Sequence, residues 1–194
     1  MFFARRPSPA TIDAAVARSR ELPLSYSPTG LVRSEPTSYR FDQVVVPIGR
    51  GRADFERARA ALAAWKQFDL GWVELFPRHA PIDVGTNVAV LIRHLGFWSL
   101  NGCRVVYGVG EGEHESRFGY AYGALTSHAE AGEELFEVFM DPRTDEVLYR
   151  IRAVSWPRVL LTHLGQPIVR LLQARFRRDS VDAMRRATKD PRQR

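Results

Sequence analysis

The sequence predicts an α+β domain in which a curved antiparallel β-sheet wraps around a long C-terminal helix. Three observations lead there. FWSLNGCRVVYGVGEG, RFGYAYGALTSHAEAGEELFEVF and DEVLYRIRAVSW are apolar, aromatic-rich runs separated by turn signals. PRVLLTHLGQPIVRLLQARF follows them at once with helical apolar spacing. The connections between successive strands are short, so neighbours pair antiparallel rather than through helical crossovers.

From the N-terminus, Ser8-Pro9 has the form of a helix cap followed by proline, and Ile12, Ala15 and Val16 give a short helix that ends before Pro23. SYSPTGLVRSEPTS is a loop and YRFDQVVVPIG a strand. GRADFERARAALAAW is a helix: Phe55, Ala58, Leu62 and Trp65 recur at steps of three, four and three and form one stripe. Asp54 and Glu56 sit in its first turn, where the helix dipole favours negative charge. LGWVELFP and NVAVLIRH are strands, and Gly96 bends the chain before the next one. CRVVYGV, RFGYAYGAL, EELFEVFM and EVLYRIRAV complete a meander, the last two joined by the turn DPRTDE. The final helix is expected to start at Ser155-Trp156-Pro157, with Gly165 and Pro167 kinking it and arginines at its far end. The 194 residues read as one domain: 1–37 an N-terminal helix and loop, 38–176 the core, 177–194 a basic helix end and tail.

Composition excludes several classes of function. Between Arg170 and Arg194 nine basic residues face three acidic ones, which equals the whole net charge of +6 and leaves the body formally neutral. Specific nucleic-acid binding wants a basic stripe on the fold itself, so none is expected. The terminal arginines offer at most a weak contact with an anionic surface. Cys103 is the only cysteine, so no intrachain disulfide forms. The histidines at 79, 94, 114, 128 and 163 share no metal spacing, and no cofactor or metal is expected. MFFARRPSPAT lacks the apolar core of a secretory signal, and no apolar run approaches the roughly 20 residues of a membrane span. The expectation is a cytoplasmic protein. Only Lys66 and Lys189 stand among many arginines, the usage of a GC-rich bacterial source.

GRADFERARAALAAW, LGWVELFP, HLGFWSLNGCRVVY, RFGYAYGALTSHAEAGEELFEV and LQARFRRDSVDAMRRA together resemble an uncharacterised family, the domain-of-unknown-function family nineteen-ninety. That family is similar to the START-like, or Bet v 1-like (SRPBCC), helix-grip superfamily. The resemblance implies a ligand cavity between sheet and C-terminal helix, and it implies no reaction.

Four features invite a chemical role. Gly49-Arg50-Gly51 follows a strand and opens a helix, as a dinucleotide fingerprint does, but Asp54 stands where the third glycine would, so a plain strand-to-helix turn is expected. Cys103 lies in an apolar strand and reads as a packed core thiol. His128 lies near Thr126, Glu130, Glu133 and Glu134 and is placed either for proton transfer or in a polar turn. Strand alternation puts Glu134 on the face of Phe136, Arg104 on that of Val106, and Arg117 opposite Phe118, Tyr120 and Tyr122. Glu134 with either arginine is a structural ion pair or a clamp for a polar head group. Trp98, Tyr107, Phe118, Tyr120, Tyr122 and Phe136 either line a pocket or fill the core.

The sequence therefore points to binding of a small hydrophobic or amphipathic molecule, with Trp98, Arg104, Tyr122, His128 and Glu134 as candidate pocket residues. The alternatives are an enzyme of the same fold, a lyase, cyclase or hydrolase using His128 and Glu134 as acid and base, and an interaction module using the basic C-terminal helix.

Overall fold

The computed structural model describes residues 1–33, 39–110, 116–158 and 166–189. In chain order the elements are β1 (Phe2–Phe3), α1 (Pro9–Ser19), β2 (Phe41–Arg50), α2 (Gly51–Ala63), a 3-10 turn (Lys66–Phe68), β3 (Val73–Phe76), β4 (Asn87–His94), β5 (Phe97–Val109), β6 (Arg117–Ala124), β7 (Glu130–Met140), β8 (Glu146–Pro157) and α3 (Gln166–Thr188). All strands join one sheet in the order β2-β8-β7-β6-β5-β4-β3, with β1 added to β5, and every pairing is antiparallel. From β3 to β8 each strand pairs with its successor, as the turn signals predict.

The sheet curls because its strands are interrupted at defined places. β5 slips register against β6 between Val105 and Tyr107, and β2 slips against β8 between Pro47 and Gly49; such bulges bend and twist a strand. Gly132 bends β7. Its φ is +139°, and a Cβ there would drive into the Val154 carbonyl oxygen. Only glycine tolerates both.

The concave face holds the main core. Phe55, Ala58 and Leu62 of α2 are fully buried there, with Trp65 just past the helix end, so the stripe read from spacing is the packed face. Tyr120, Phe136, Val138 and Tyr149 come from the sheet, and Val181 and Met184 from the C-terminal half of α3. The Tyr149 hydroxyl lies 2.9 Å from Ser180 Oγ and ties α3 to β8. On the convex face α1 is capped by Ser8, whose Oγ accepts from Thr11 N, and it buries Ile12 against Ala89, Leu91 and Leu100. Two convex glutamates are fully compensated. Glu137 accepts from Arg117 Nε at 2.8 Å and from Arg150 Nη1 at 3.0 Å. Glu133 accepts from the hydroxyls of Tyr26 (2.7 Å) and Tyr107 (3.1 Å) and from Gly30 N (2.8 Å), pinning the N-terminal loop to the sheet.

Two expectations are corrected. Ser155, Trp156 and Pro157 do not start the last helix; they pair with Gly132, Ala131 and Glu130 as the end of β8. The Trp156 ring stacks on Tyr39 at 4.6 Å and meets Tyr26 edge-on, contacts that hold the segment extended. Helix α3 begins at Gln166, so Pro167 sits in its first turn, where the missing N–H costs nothing. Gly165 lies outside the described residues. The basic end is tied to the body by an ion pair and carries further pairs within itself. Arg177 pairs with Asp42 of β2 at 3.5 Å, Asp179 takes Arg175 and Arg178, and Asp182 takes Arg185.

Gly132→Ala is expected to destabilise the protein by about 2 kcal/mol or more, from backbone strain plus displacement of β8. Urea unfolding followed by circular dichroism measures it. A loss under about 0.5 kcal/mol would mean that β7 does not need the glycine conformation.

Candidate functional site

The N-terminal half of α3 faces a cavity at the edge of the core, against which Leu172 and Phe176 also pack. The cavity volume is about 210 Å³. The floor is the curved end of the sheet, with Val90, Ile92, Asn101, Tyr122, Glu134 and Ala153; the roof is Val169, Leu172 and Phe176; Phe68 and Trp72 close one end. Phe68 holds the roof to the floor, with ring centroids 5.3 Å from Phe176 and 5.5 Å from Phe136. Phe2, His94 and His128 also line the cavity.

Polar groups enter this apolar space at a few points. Tyr122 and Glu134 are direct cross-strand partners, in phase with Tyr120 and Phe136, so alternation alone brings them to one face. The Tyr122 hydroxyl donates to Glu134 Oε2 at 2.8 Å. Glu134 Oε1 has no hydrogen-bond partner among the described residues. Removal from bulk water pushes the Glu134 carboxyl up to about 7; the Tyr122 hydrogen bond and the Arg177 charge pull against this, while Glu130 and Asp42 add to it. Glu130, at the start of β7, is likewise raised by burial. Its two oxygens accept from Gln173 Nε2 at 3.3 and 3.2 Å, and the same nitrogen lies 3.0 Å from Ser155 Oγ.

His128 lies in the turn between β6 and β7. Its Nδ1 accepts from Glu130 N at 2.9 Å, which leaves the proton of the neutral ring on Nε2. Burial pushes this histidine down to about 4, so it is uncharged at neutral pH. A further chain of contacts runs along β5: Asn101 Nδ2 donates to Ser99 Oγ at 3.1 Å, and His94 Nε2 lies 3.2 Å from that oxygen.

Of the residues singled out in the sequence, the fold gathers Tyr122, His128 and Glu134 around one cavity. Trp98 and Arg104 are not there. Both belong to the opposite phase of β5 from Ser99, Asn101 and Cys103, and both face α1 on the convex side. Trp98 packs with Phe3 and Val16, and Arg6 lies 5.9 Å from its ring. Arg104 donates to Asn87 Oδ1 and to the carbonyls of Ser19, Arg20 and Leu22, and so satisfies the C-terminal end of α1. Neither Arg104 nor Arg117 pairs with Glu134; the guanidinium acting on it is that of Arg177. Tyr120 and Phe136 fill the core, and Tyr107 serves Glu133 on the convex face.

Gln173 and Arg177 were missed, and Glu130 was read only as a neighbour of His128. Glu130 shares the phase of Glu134 along β7, and Gln173 interrupts the apolar stripe Val169, Leu172 and Phe176; both signals are visible in the chain. Cys103 is fully buried, and its thiol is pushed up by burial, so it is no nucleophile. Gly49-Arg50-Gly51 is a turn whose Arg50 N is already bonded to Asp54 Oδ2 at 2.7 Å. His114 and His163 lie outside the described residues, and among those described no three His, Cys, Asp or Glu side chains are grouped to hold a metal ion.

Comparison with known proteins gives consistent results. A family described as a domain of unknown function, DUF1990, matches residues 25–183. A UPF0548 protein of Dictyostelium discoideum is 35% identical over 207 residues, covering 96% of this chain and 95% of that one. A UPF0548 protein of Deinococcus radiodurans is 35% identical over 201 residues, covering 96% and 98%. Such relatives occur in an amoeba as well as a bacterium, so kinship does not select the bacterial source expected from composition. Among solved structures, a hypothetical protein from Helicobacter pylori superimposes with a TM-score of 0.54 at 9% identity, over 84% of this chain and 95% of that one. The Zhui aromatase/cyclase from a Streptomyces species gives 0.51 at 12% identity, over 77% and 93%. At these identities the likeness is one of fold, the helix-grip arrangement.

The cavity groups make stability depend on pH in two opposing ways. Because the folded value of Glu134 lies above the ordinary 4.5, the folded state binds the extra proton between 4.5 and about 7, and stability is lost as pH rises through that window. His128, depressed from 6.5 to about 4, loses stability as pH falls through its own window. Glu134→Gln removes only the first effect. The melting temperature of the variant relative to the wild type is expected to climb between about pH 5 and about pH 8. A flat difference across that range would show that Glu134 titrates like an exposed carboxyl.

Proposed function

The chain belongs to the DUF1990 family, and from that premise we propose that it binds a small hydrophobic or amphipathic molecule between the sheet and α3. The observation that carries this reading is the cavity itself: an apolar space of about 210 Å³ entered by a small number of placed polar groups. A cavity of roughly 150 Å³ accommodates benzene, so this one suits a single substituted ring or a short chain. Its floor and roof belong to rigid elements, and the polar groups that orient a ligand, Glu134 and Tyr122, are locked to each other across two strands.

A second reading, an enzyme of the same fold, is favoured by one observation. A carboxyl poised at about 7 is suited to give and take a proton near neutral pH. Glu134 is then the proton-transfer group, and neutral His128 orients a substrate through Nε2–H. Contact between the C-terminal helix and an anionic surface is the weakest reading, because Asp42, Asp179 and Asp182 already engage four of its arginines.

Native mass spectrometry of gently purified protein, followed by solvent extraction, tests the binding reading. A reproducible small extra mass is expected. Leu172→Trp, which fills the roof of the cavity, should abolish that mass while circular dichroism stays unchanged. An extra mass that persists in the filled variant would place the ligand elsewhere.

A further inference from the structure

The cavity is unusual in its balance of charge. Four acidic residues line it, Asp42, Glu130, Glu133 and Glu134, against one guanidinium, Arg177; the Glu133 carboxylate is taken up by Tyr26, Tyr107 and Gly30 N, which leaves three. Arg177 is already paired with Asp42. The two histidines on the lining, His94 and His128, are both held below their ordinary range by burial. Among the described residues, no Lys, Arg or His nitrogen comes within ion-pair distance of Glu130 or Glu134. Glu130 still has two donor contacts from Gln173. Glu134, on the cavity lining, has one hydrogen bond, from Tyr122 to Oε2, and among the described residues none to Oε1. The aromatic side chains of Phe68, Tyr122 and Phe176 line the same cavity.

An anionic ligand finds no free cation here. A purely apolar ligand leaves Glu134 Oε1 without a partner in a space it has just dried, which is costly. A primary or secondary ammonium answers both the open oxygen and the aromatic faces, through a charge-assisted hydrogen bond and cation–π contact. We infer that the ligand of this cavity is a small apolar amine, bound with its ammonium on Glu134 Oε1 and its hydrocarbon part among the aromatic rings. This rests on the binding reading above and names the ligand class for it.

The direction of the pH dependence separates this from the nearest alternative. An ammonium needs Glu134 ionised, so affinity rises with pH through the range where Glu134 loses its proton. A carbonyl or hydroxyl ligand accepting from protonated Glu134 would bind more weakly over the same range. The groups acting on Glu134 are Tyr120 and Tyr122 from β6, Cys103 from β5, Tyr149 from β8, Asp42 from β2, Arg177 from α3 and Glu130 from its own strand. Tyr122 and Cys103 are raised and stay neutral, while burial raises Glu130 in the same direction as Glu134.

The test uses the full chain and two isosteric probes, benzylamine and benzyl alcohol, titrated by protein-observed NMR at about pH 6 and about pH 8. Benzylamine is expected to bind about tenfold or more tightly than the alcohol at the higher pH, with the advantage shrinking at the lower. Glu134→Gln should erase the advantage, with an unchanged circular dichroism spectrum reporting that the variant is folded; Glu130→Gln, which keeps Glu134, should retain most of it. If the alcohol binds as well as the amine at both pH values, or Glu134→Gln keeps the preference, the amine inference falls while cavity binding stands. If neither probe shifts cavity resonances, the binding reading falls and takes the inference with it.

Discussion

The separation between α3 and the sheet is set by one aromatic contact. Phe68, from the turn after α2, touches Phe136 on the floor and Phe176 on the roof, and those two rings lie 6.3 Å apart. Toward the C-terminus of α3 the helix descends into the core with Val181 and Met184. Toward its N-terminus the next inward side chains, Leu172 and Val169, meet open space. The triangle of rings thus acts as a fulcrum. Interiors pack nearly as densely as organic crystals, so a space of this size beside a well-filled core is a property of the helix position, not of loose packing.

Strand β7 shows how one alternation distributes three carboxylates into different chemical conditions. Glu133 and Glu137 point to the convex side, where backbone N–H groups, phenols and two arginines surround them. Glu134, one residue from Glu133, points the other way and receives one phenol. A buried carboxylate with several donors keeps its charge; one with a single donor tends to take a proton instead. The raised carboxyl of Glu134 therefore follows from its burial on a concave face that offers it few donors.

Much of this was legible in the chain. Alternation in EELFEVFM put Glu134 on the face of Phe136, Tyr122 and Glu134 were both read as pocket residues, and the spacing of Phe55, Ala58 and Leu62 marked the buried face of α2. Other features were hidden for physical reasons. Trp98 and Arg104 look like pocket residues because aromatic and charged side chains suit a pocket, yet their phase along β5 assigns them to α1, an element whose docking side no local pattern reveals. The boundary after β8 was misjudged because Ser-Trp-Pro satisfies a helix start locally, while its strand pairing with β7 and the Tyr39 stack act from far away in sequence. Arg177 as the neighbour of Glu134 depends on how α3 lies on the sheet, which is tertiary information.

The sheet order has a consequence for how the molecule is made. Every strand from β3 to β8 joins a neighbour in sequence, but β2 joins β8, with Gln43 opposite Arg152. That pairing closes a loop of about a hundred residues, and such non-local contacts form late because the entropy of closure is lost before any contact rewards it. Helix α3 comes later still in the chain. A nascent polypeptide leaving the ribosome therefore carries the aromatic floor of the cavity without its roof until the last helix emerges. In that interval the floor is exposed apolar surface of the kind that makes partly folded chains prone to aggregate.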